Sequence, residues 1–508
     1  MEVRRGQPGR ARMRDGVMMS DEAKKVLLSV ADFLERLTGS ANLHPEQVTE
    51  AHMSLTSLKY QLAQAECDPA FASHIDVEEQ RLCEELKPLL PAGAGSGSTS
   101  NDRLWQASWC SGVGARATEF VESRKIPSDP EDVLKAAGAL KRFLIEYHQK
   151  ADPAIAEGSK VAYQGGRGDL VGEAEEAYVI TKGKLEKYLT AKGRYSGDVT
   201  VTEIKQLTGG FSKETYFVSV HDTGNGEDSR FVIRKDIIGL PTSTTVVDEF
   251  KVLQQAREMG IPAPVPMWLE ADESMFTTAC MAVEFNTGKP AHLNLPDDDQ
   301  GKRLWTAKAA QLVATLHKQT VRTDKDASDC LNEEIAHFEK CIRERERVPH
   351  PGMAFSLAWL RERAQDLEGR PVCRTHGDVG FHNMLVDGDE ITALLDWEFS
   401  HFSDPMEDLQ YTRPFMEKLG TWDYFLSTYR EISGFDYEPS IAGVFSVRAE
   451  IRNFILCIGC LNSLLIPRVR DVGLSLAGTT FIPKFEISSL DGIIDNLSKA
   501  DNLVMCDN

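Results

Sequence analysis

The chain has 508 residues, and its 78 Asp and Glu against 57 Lys and Arg give a formal net charge of −21 at pH 7. This length predicts two or three domains, each able to bury a hydrophobic core. The acidic balance argues against nonspecific nucleic-acid binding, whose affinity comes from Lys and Arg that neutralise phosphates. No apolar stretch reaches the ~20 residues of a membrane span, so no membrane partner is expected. The ten Cys lack paired spacing, which indicates reduced thiols in a cytoplasmic protein.

The first part of the chain is predicted to be helical. Residues 1–19 carry five Arg and no apolar core, so they are expected to form a basic disordered extension, and Met18 or Met19 would serve equally well as a start. Apolar residues at helical spacing predict a bundle over residues 20–91, followed by a flexible Gly/Ser-rich linker at 92–102 and a further helical segment at 103–180. None of these segments carries a catalytic set, so the region is expected to mediate dimerisation or partner binding, or to act as a regulatory module, rather than to be a second enzyme.

The most informative stretch reads THGDVGFHNMLV at residues 375–386 and is echoed by LLDWE at 394–398. An Asp and an Asn on a short loop, followed by a hairpin that returns a second Asp, can gather three oxygen ligands around one point. Mg²⁺ prefers such oxygens and usually completes its coordination with water and nucleotide phosphate. Asn383 and Asp396 are therefore the predicted metal ligands. Asp378 is the predicted catalytic residue, which accepts the proton of an attacking hydroxyl.

Taken together, these residues resemble the aminoglycoside phosphotransferase-like kinases, a small-molecule branch of the protein-kinase-like fold. The shared pattern is His-Gly-Asp, four residues, Asn, and then an apolar strand that ends in Asp-Trp-Glu. The stretch SDPMEDL at 403–409 extends the pattern, although Ser403 replaces the usual Gly. The closest likeness is to kinase domains found alone or fused to acyl-CoA dehydrogenases. His376 is expected to brace the loop by hydrogen bonding rather than to react.

The resemblance implies an α+β fold with two lobes, preceded by the helical N-terminal region. An antiparallel sheet plus a helix would form the N-lobe and hinge at residues 181–286. A mostly helical C-lobe, including the helices that wall the substrate pocket, would occupy residues 287–508. The likeness does not extend to the helical region at the start of the chain.

A Gly-rich turn is predicted to cover the nucleotide phosphates. Residues 199–207 are predicted to form a strand that leads into TGGFSKETY at 208–216. Gly209, Gly210 and the small hydroxyl residue Ser212 would let backbone N–H groups approach phosphate oxygens closely. A plain β-turn is the alternative interpretation of the Gly pair, and its position between two strands favours the phosphate-binding one.

The next two predicted strands, 216–221 and 230–235, form a hairpin. The resemblance places in the second strand the cation that holds the phosphates, which is usually Lys. If Val232 lines the adenine pocket, the period-two alternation of a strand puts Arg234 beside it and Lys235 on the opposite face. Arg234 is the favoured candidate and Lys235 the alternative. An Arg would bind phosphate through a fork of donors rather than as a point charge.

Two further positions follow from the resemblance. Residues 245–259 are predicted to form a helix, and Glu249 lies where the family has the acid that orients the phosphate-binding cation. An ordinary solvated Glu is the alternative interpretation. The stretch VEF at 283–285 resembles the hinge between the lobes, so backbone groups of Glu284 and Phe285 are expected to meet the adenine edge.

The predicted activity is ATP- and Mg²⁺-dependent transfer of a phosphoryl group to a hydroxyl of a small molecule. The likeness to kinases linked to acyl-CoA dehydrogenases points to a hydroxyacyl-CoA acceptor. An aminoglycoside or other antibiotic is one alternative, since an acidic surface would suit a polycation. A catalytically silent nucleotide-binding regulator is another: Arg in place of Lys keeps it open, and the intact Asp378, Asn383 and Asp396 count against it.

Overall fold

The computed structural model describes residues 69–92, 115–151, 180–207, 213–237, 244–322, 324–346, 349–461 and 472–506. Contacts between Cα atoms divide the chain into two compact units, residues 1–161 with 343–355 and residues 162–342 with 356–508. The predicted extension at 1–19, the predicted bundle up to residue 68 and the predicted linker from residue 93 to 102 lie outside the described residues.

In the first unit, the described residues include the helices α1 (Pro69–Leu86), α2 (Ala115–Glu122) and α3 (Pro130–Ala151). Helix α3 begins where Asp129 accepts a hydrogen bond from the backbone N–H of Glu131, with Pro130 at the first helical position. The buried side chains of α3 recur at helical spacing and comprise Val133, Ala136, Ala137, Ala139, Leu140, Phe143 and Leu144. Helix α3 lies within the helical segment predicted at residues 103–180.

The second unit begins with helix α4 (Lys182–Ala191) and a five-stranded antiparallel sheet. The strands are β1 (Val199–Leu207), β2 (Lys213–Asp222), β3 (Asp228–Asp236), β4 (Pro266–Glu270) and β5 (Cys280–Glu284), in the spatial order β1-β2-β3-β5-β4. Helix α5 (Val246–Glu258) follows β3, and the short helix α6 (Glu273–Phe276) follows β4. Thr245 caps α5 by accepting a hydrogen bond from the backbone N–H of Asp248.

The two faces of this sheet have different environments. Phe231 and Ile233 of β3 are fully buried against Tyr188 of α4, in the core of the lobe. The side chains of Val232 and Arg234 point to the other face and are only half-buried, as the alternation of a strand requires. The strand therefore separates a packing face from a face that is available to a ligand.

The second lobe is mostly helical. Its helices are α7 (Asp299–Gln319), α8 (Ala327–Arg345), α9 (Pro351–Arg363), α10 (Met406–Leu419), α11 (Trp422–Ser433), α12 (Pro439–Leu461) and α13 (Val472–Cys506), of which α8 and α9 each run into residues 343–355 of the first unit. Strand β7 (Cys373–Thr375) pairs with β10 (His401–Ser403), and β8 (Met384–Asp387) forms a hairpin with β9 (Glu390–Leu394) that is bordered by β6 (Lys289–Pro290). A sheet-bearing lobe followed by a helical lobe is the predicted α+β, kinase-like architecture.

The apolar helix α12 contains Cys457 and Cys460. Both are free thiols, and Cys460 is buried. Among the described residues, no helix is long and apolar enough to cross a membrane.

We expect Tyr188 to be a main contributor to the stability of the first lobe. Its ring lies 5.2 Å from that of Trp268 and 5.0 Å from that of Phe276, between centroids, and its hydroxyl accepts a hydrogen bond from Arg194 at 3.2 Å. Tyr188→Ala should lower the free energy of unfolding in urea by about 3–5 kcal/mol, because it leaves a cavity. Tyr188→Phe, which keeps the ring and loses only the hydrogen bonds of the hydroxyl, should cost about 1 kcal/mol. Equal costs for the two variants would contradict this account of the core.

Candidate active site

The Asp378 loop, defined as residues 376–383, joins β7 to β8 and is held by its backbone. The N–H groups of His376 and Gly377 donate to the two carboxylate oxygens of Asp408, at 2.8 and 2.7 Å. Asp408 is fully buried in the first turn of α10, and His317 of α7 contacts it at 3.1 Å. His317 in turn lies 2.7 Å from the hydroxyl of Tyr429. A chain of buried polar groups from three helices therefore fixes the start of the loop.

Gly377 allows the sharp turn before Asp378. Its φ is +78°, a region that favours glycine, and a Cβ atom there would lie 2.7 Å from the carbonyl oxygen of Phe399. The carbonyl oxygen of Gly377 accepts a hydrogen bond of 2.6 Å from Nη1 of Arg452. No larger residue fits this position without moving the backbone.

His376 braces the loop, as predicted. Its Nδ1 accepts a hydrogen bond from the backbone N–H of Asp378 at 3.3 Å, so Nε2 carries the proton and donates to the carbonyl oxygen of Leu395 at 3.0 Å. Burial lowers the pKa of His376 in spite of nearby carboxylates that include Asp378 and Asp396. The neutral ring therefore links the Asp378 loop to the end of β9.

Asp378 is surrounded by donors. Asn383 Nδ2 donates to its Oδ2 at 2.8 Å, and His382 Nε2 lies 3.5 Å from its Oδ1. Burial would raise the pKa of the Asp378 carboxyl, but hydrogen bonds from His382 and Tyr411 and the positive charge of Arg452 outweigh it and hold that pKa well below its usual range. The side chain is therefore ionised at neutral pH, which suits the orientation of a hydroxyl group.

Asn383 and Asp396 lie next to each other across the hairpin. The backbone N–H of Leu395 donates to the carbonyl oxygen of Asn383 at 2.7 Å, so Asp396 follows directly. Asn383 directs its amide nitrogen to the backbone and side chain of Asp378, at 3.0 and 2.8 Å. Asp396 has φ +64°, one of two non-glycine residues with positive φ in the described parts of the chain. Such a conformation is costly and often marks a functional position.

Arg234 connects the two lobes at this point. Its Nε lies 3.2 Å from Oε1 of Glu249 on α5, and its Nη2 lies 2.9 Å from Oδ1 of Asp396 and 3.9 Å from Oε2 of Glu398. Burial opposes the charged form of Arg234, but these carboxylates outweigh it and raise its pKa above the usual value. Burial raises the pKa of Glu249 against the opposing effect of Arg234. The structure thus brings Arg234, Glu249 and Asp396 into one cluster.

Lys235 lies apart from this cluster. Its buried side chain points to the opposite face of β3, where Nζ lies 3.1 Å from Oε2 of Glu214. Gly209, Gly210 and Ser212, the predicted phosphate-covering residues, lie outside the described residues.

The predicted hinge at residues 283–285 includes the last two residues of β5. The N–H of Glu284 donates to the carbonyl oxygen of Val265 at 2.9 Å, and that of Phe285 to Arg230 at 3.4 Å. These two N–H groups are therefore already hydrogen-bonded within the lobe. Only carbonyl oxygens here, or backbone groups of later residues, are left to hydrogen-bond an adenine ring. The ring of Phe285 lies edge-on to that of Phe217, 5.1 Å away, and Phe217 pairs with Val232 across β2 and β3. This apolar surface is continuous with the face that carries Arg234.

The donor chemistry of the cluster fits a divalent cation. Asn383 uses its amide nitrogen on Asp378, so its Oδ1 is the atom left for a metal, and Asp396 supplies a carboxylate. A single guanidinium, that of Arg234, faces the three carboxylates of Glu249, Asp396 and Glu398. Among the described residues, no group of three or more His, Cys, Asp or Glu side chains is arranged as a metal site. Mg²⁺ is commonly held by one or two protein oxygens together with water and phosphate.

Sequence reasoning missed several residues of the site. Asp408 was given no role, although its place in the motif at 403–409 was a usable signal. In the structure its carboxylate is fully buried. Tyr411 and Arg452, which act on Asp378, come from later helices that carry no motif. Phe217 was recognisable only as a strand residue, because its cleft-facing position depends on pairing with β3.

A pair of glycine substitutions tests the fit of the Asp378 loop. Gly388, in the β8–β9 turn, has φ +57°, and no atom lies within 4 Å of the position that a Cβ would take, so Gly388→Ala should cost only about 1 kcal/mol of backbone strain. Gly377→Ala adds the clash with Phe399 and should cost more, with a loss of nucleotide affinity. Urea unfolding and calorimetric titration with ATP measure both. Matching effects of the two variants would show that the close contact at Gly377 is unimportant.

Comparison with known proteins supports the resemblance. Residues 203–437 match the sequence model of the phosphotransferase enzyme family. Acyl-CoA dehydrogenase family member 10 of Mus musculus is 25% identical over 295 residues, which cover 55% of this chain and 26% of that protein. Family member 11 of the same species is 25% identical over 240 residues, which cover 45% of this chain and 30% of that protein.

Choline kinase LicA from Streptococcus pneumoniae, a solved structure, is 17% identical with a TM-score of 0.41, covering 55% of this chain and 90% of its own. The chain spans about a quarter to a third of the length of the two curated relatives. The resemblance predicted from the motifs is confirmed by the family match. Residues 203–437 of this chain are therefore similar to the phosphotransferase enzyme family.

Proposed function

We propose that this chain is an ATP- and Mg²⁺-dependent phosphotransferase that phosphorylates a hydroxyl group of a small molecule. The observation that carries the proposal is the convergence of one loop and one hairpin. Asp378 and Asn383 hydrogen-bond at 2.8 Å, and Asp396 adjoins them while it contacts Arg234 of the other lobe at 2.9 Å. A phosphoryl transfer needs an oriented hydroxyl, neutralised phosphates and a seat for a metal, and these groups offer all three.

Asp378 would orient the acceptor. Its carboxylate is ionised and already held by Asn383, His382 and Tyr411, so its direction is fixed before substrate arrives. A hydroxyl that donates to this carboxylate is held with an oxygen lone pair toward the phosphorus. Such positioning lowers the entropic cost of the reaction, and the proton can pass to Asp378 as the new bond forms.

The phosphates would be held from the first lobe. Arg234 presents a planar guanidinium that Glu249 holds from behind, and a fork of N–H donors can bind two phosphate oxygens at once. Asn383 and Asp396 would hold Mg²⁺, which when bound neutralises charge on the phosphates. The apolar face formed by Phe217, Val232 and Phe285 would receive the adenine ring. The Gly209–Gly210–Ser212 turn remains our candidate for covering the phosphates.

We propose a hydroxyacyl thioester of CoA as the acceptor. The two curated relatives carry acyl-CoA dehydrogenase in their names, and the matched part of each is only a quarter to a third of its length. A region shared by proteins of that name is expected to act on related acyl thioesters. ATP turnover across a panel of hydroxyacyl-CoAs and aminoglycosides tests this choice. Turnover with aminoglycosides alone would reject it, and no turnover with any acceptor would favour a nucleotide-binding regulator.

Replacing the proposed base should abolish transfer. Asp378→Asn keeps the shape but removes the charge, so kcat should fall by roughly 10²–10⁴-fold, with little change in KM for ATP. Asp389→Asn, in the exposed β8–β9 turn, is the matched control and should keep full activity. Coupled measurement of ADP release gives both constants. If Asp378→Asn turns over like the unmodified chain, the assignment of the base is wrong.

The two cations of β3 should behave differently. Arg234→Met removes the group beside Asp396, so the affinity for ATP should fall roughly 10- to 100-fold, as expected for a lost charged hydrogen bond. Lys235→Met, which removes the cation that contacts the carboxylate of Glu214, should lower thermal stability instead and keep ATP affinity. Titration calorimetry and thermal unfolding separate the two outcomes. Small and equal effects on ATP affinity would remove this strand from the site.

A further inference from the structure

Arg452, a buried arginine of α12, contacts the backbone of the Asp378 loop. Arg452 is 6% exposed, and its Nη1 donates to the carbonyl oxygen of Gly377 at 2.6 Å. Its guanidinium lies 4.4 Å from the ring centroid of Phe399 and 5.9 Å from that of Tyr411. The Asp378 loop is thus held by a helix that begins more than fifty residues later in the chain.

The Gly377–Asp378 peptide group is fixed on both sides. Its carbonyl oxygen, from Gly377, accepts from Arg452, and its N–H, from Asp378, donates to Nδ1 of His376 at 3.3 Å. Because a peptide group is planar, anchoring both polar atoms fixes the orientation of the whole unit. The direction in which the Asp378 side chain leaves the backbone is set by that plane. Tyr411, which lies beside Arg452, hydrogen-bonds the carboxylate itself.

The same face of α12 carries a second buried arginine with different partners. Arg448 lies one turn before Arg452, at the i,i+4 spacing that places two side chains on one side of a helix. Its Nη1 contacts Glu407 of α10 at 2.7 Å, and its Nε contacts Glu334 of α8 at 2.8 Å. Arg448 therefore joins helices, whereas Arg452 reaches the Asp378 loop.

We propose that Arg452 is a positioning residue: it holds the Gly377–Asp378 peptide so that the Asp378 carboxylate is aimed at the acceptor hydroxyl. The expected loss of kcat rests on the proposed function. The expected anchoring of the loop rests only on the hydrogen bond from Arg452 to Gly377. In this role Arg452 acts through the carbonyl group of Gly377, and its charge also lowers the pKa of Asp378. Arg448 is its matched control, because it shares the helix, the face and the burial but not the contact with the loop.

The structural test is hydrogen–deuterium exchange of the full chain, read in peptides that span residues 372–384. Arg452→Met should speed exchange in these peptides, because the anchor of the Gly377–Asp378 unit is lost. Arg448→Met should speed exchange in α8 and α10 but leave residues 372–384 protected. Arg452→Lys, which keeps a donor for the Gly377 carbonyl, should restore part of the protection and guards against a methionine variant that fails to fold. Equal protection of the loop in both methionine variants would overturn the proposal.

The kinetic test separates positioning from general stability. Arg452→Met should lower kcat by roughly 10²-fold, since a displacement of about 1 Å at the reacting group has that effect. The KM for ATP should stay within about twofold, because Arg234 and Asp396 are unchanged, and Arg452→Lys should recover part of kcat. Arg448→Met should lower the melting temperature without this loss of kcat. Parallel losses of stability and kcat in both methionine variants would overturn the role.

Failure of the proposed function can be distinguished from failure of the role of Arg452. An unmodified chain that transfers no phosphate to any acceptor would reject that function, while the exchange comparison would still decide whether Arg452 anchors the loop.

Discussion

Two hydrogen bonds from consecutive backbone N–H groups to one buried carboxylate organise the second lobe. The two carboxylate oxygens of Asp408 accept hydrogen bonds from the N–H groups of His376 and Gly377. A carboxylate with no solvent exposure is stable only when its lone pairs are used in this way. The turn that these bonds enforce directs Asp378 and, five residues later, Asn383 to the same place. The helices around Asp408 supply rigidity, so that a loop rather than a strand or helix can carry the proposed chemistry without losing precision.

The second constraint is electrostatic and lies between the lobes. Arg234 meets carboxylates from α5 and from the end of β9, and the same guanidinium would serve the phosphates. An arginine suits this position better than a lysine in one respect, since its fork can contact Glu249 through Nε while Nη2 points across the cleft. The geometry therefore gives a physical reason for the departure from the usual lysine.

Local patterns carried most of what the sequence predicted. The alternation of β3 placed Arg234 and Lys235 on opposite faces, and the spacing of Asp378, Asn383 and Asp396 follows from a loop and a hairpin that are contiguous in sequence. Residues that reach the site from far along the chain could not be found this way. Arg452 and Tyr411 belong to helices whose packing against the loop is a tertiary property. Glu398 could be assigned only to the Asp-Trp-Glu motif, because its contact with Arg234 is visible only in the structure.

The left-handed backbone of Asp396 is strained, and the side chain on that backbone is the one that contacts Arg234. A glycine would adopt φ +64° at lower energy, so Asp396→Gly would relieve strain while it removes the carboxylate that faces Arg234. A variant selected only for relief of this backbone strain would therefore lose the carboxylate that we propose as a metal ligand. Laboratory evolution of this chain needs a simultaneous screen for turnover, or a fixed codon at residue 396, to keep its gains useful.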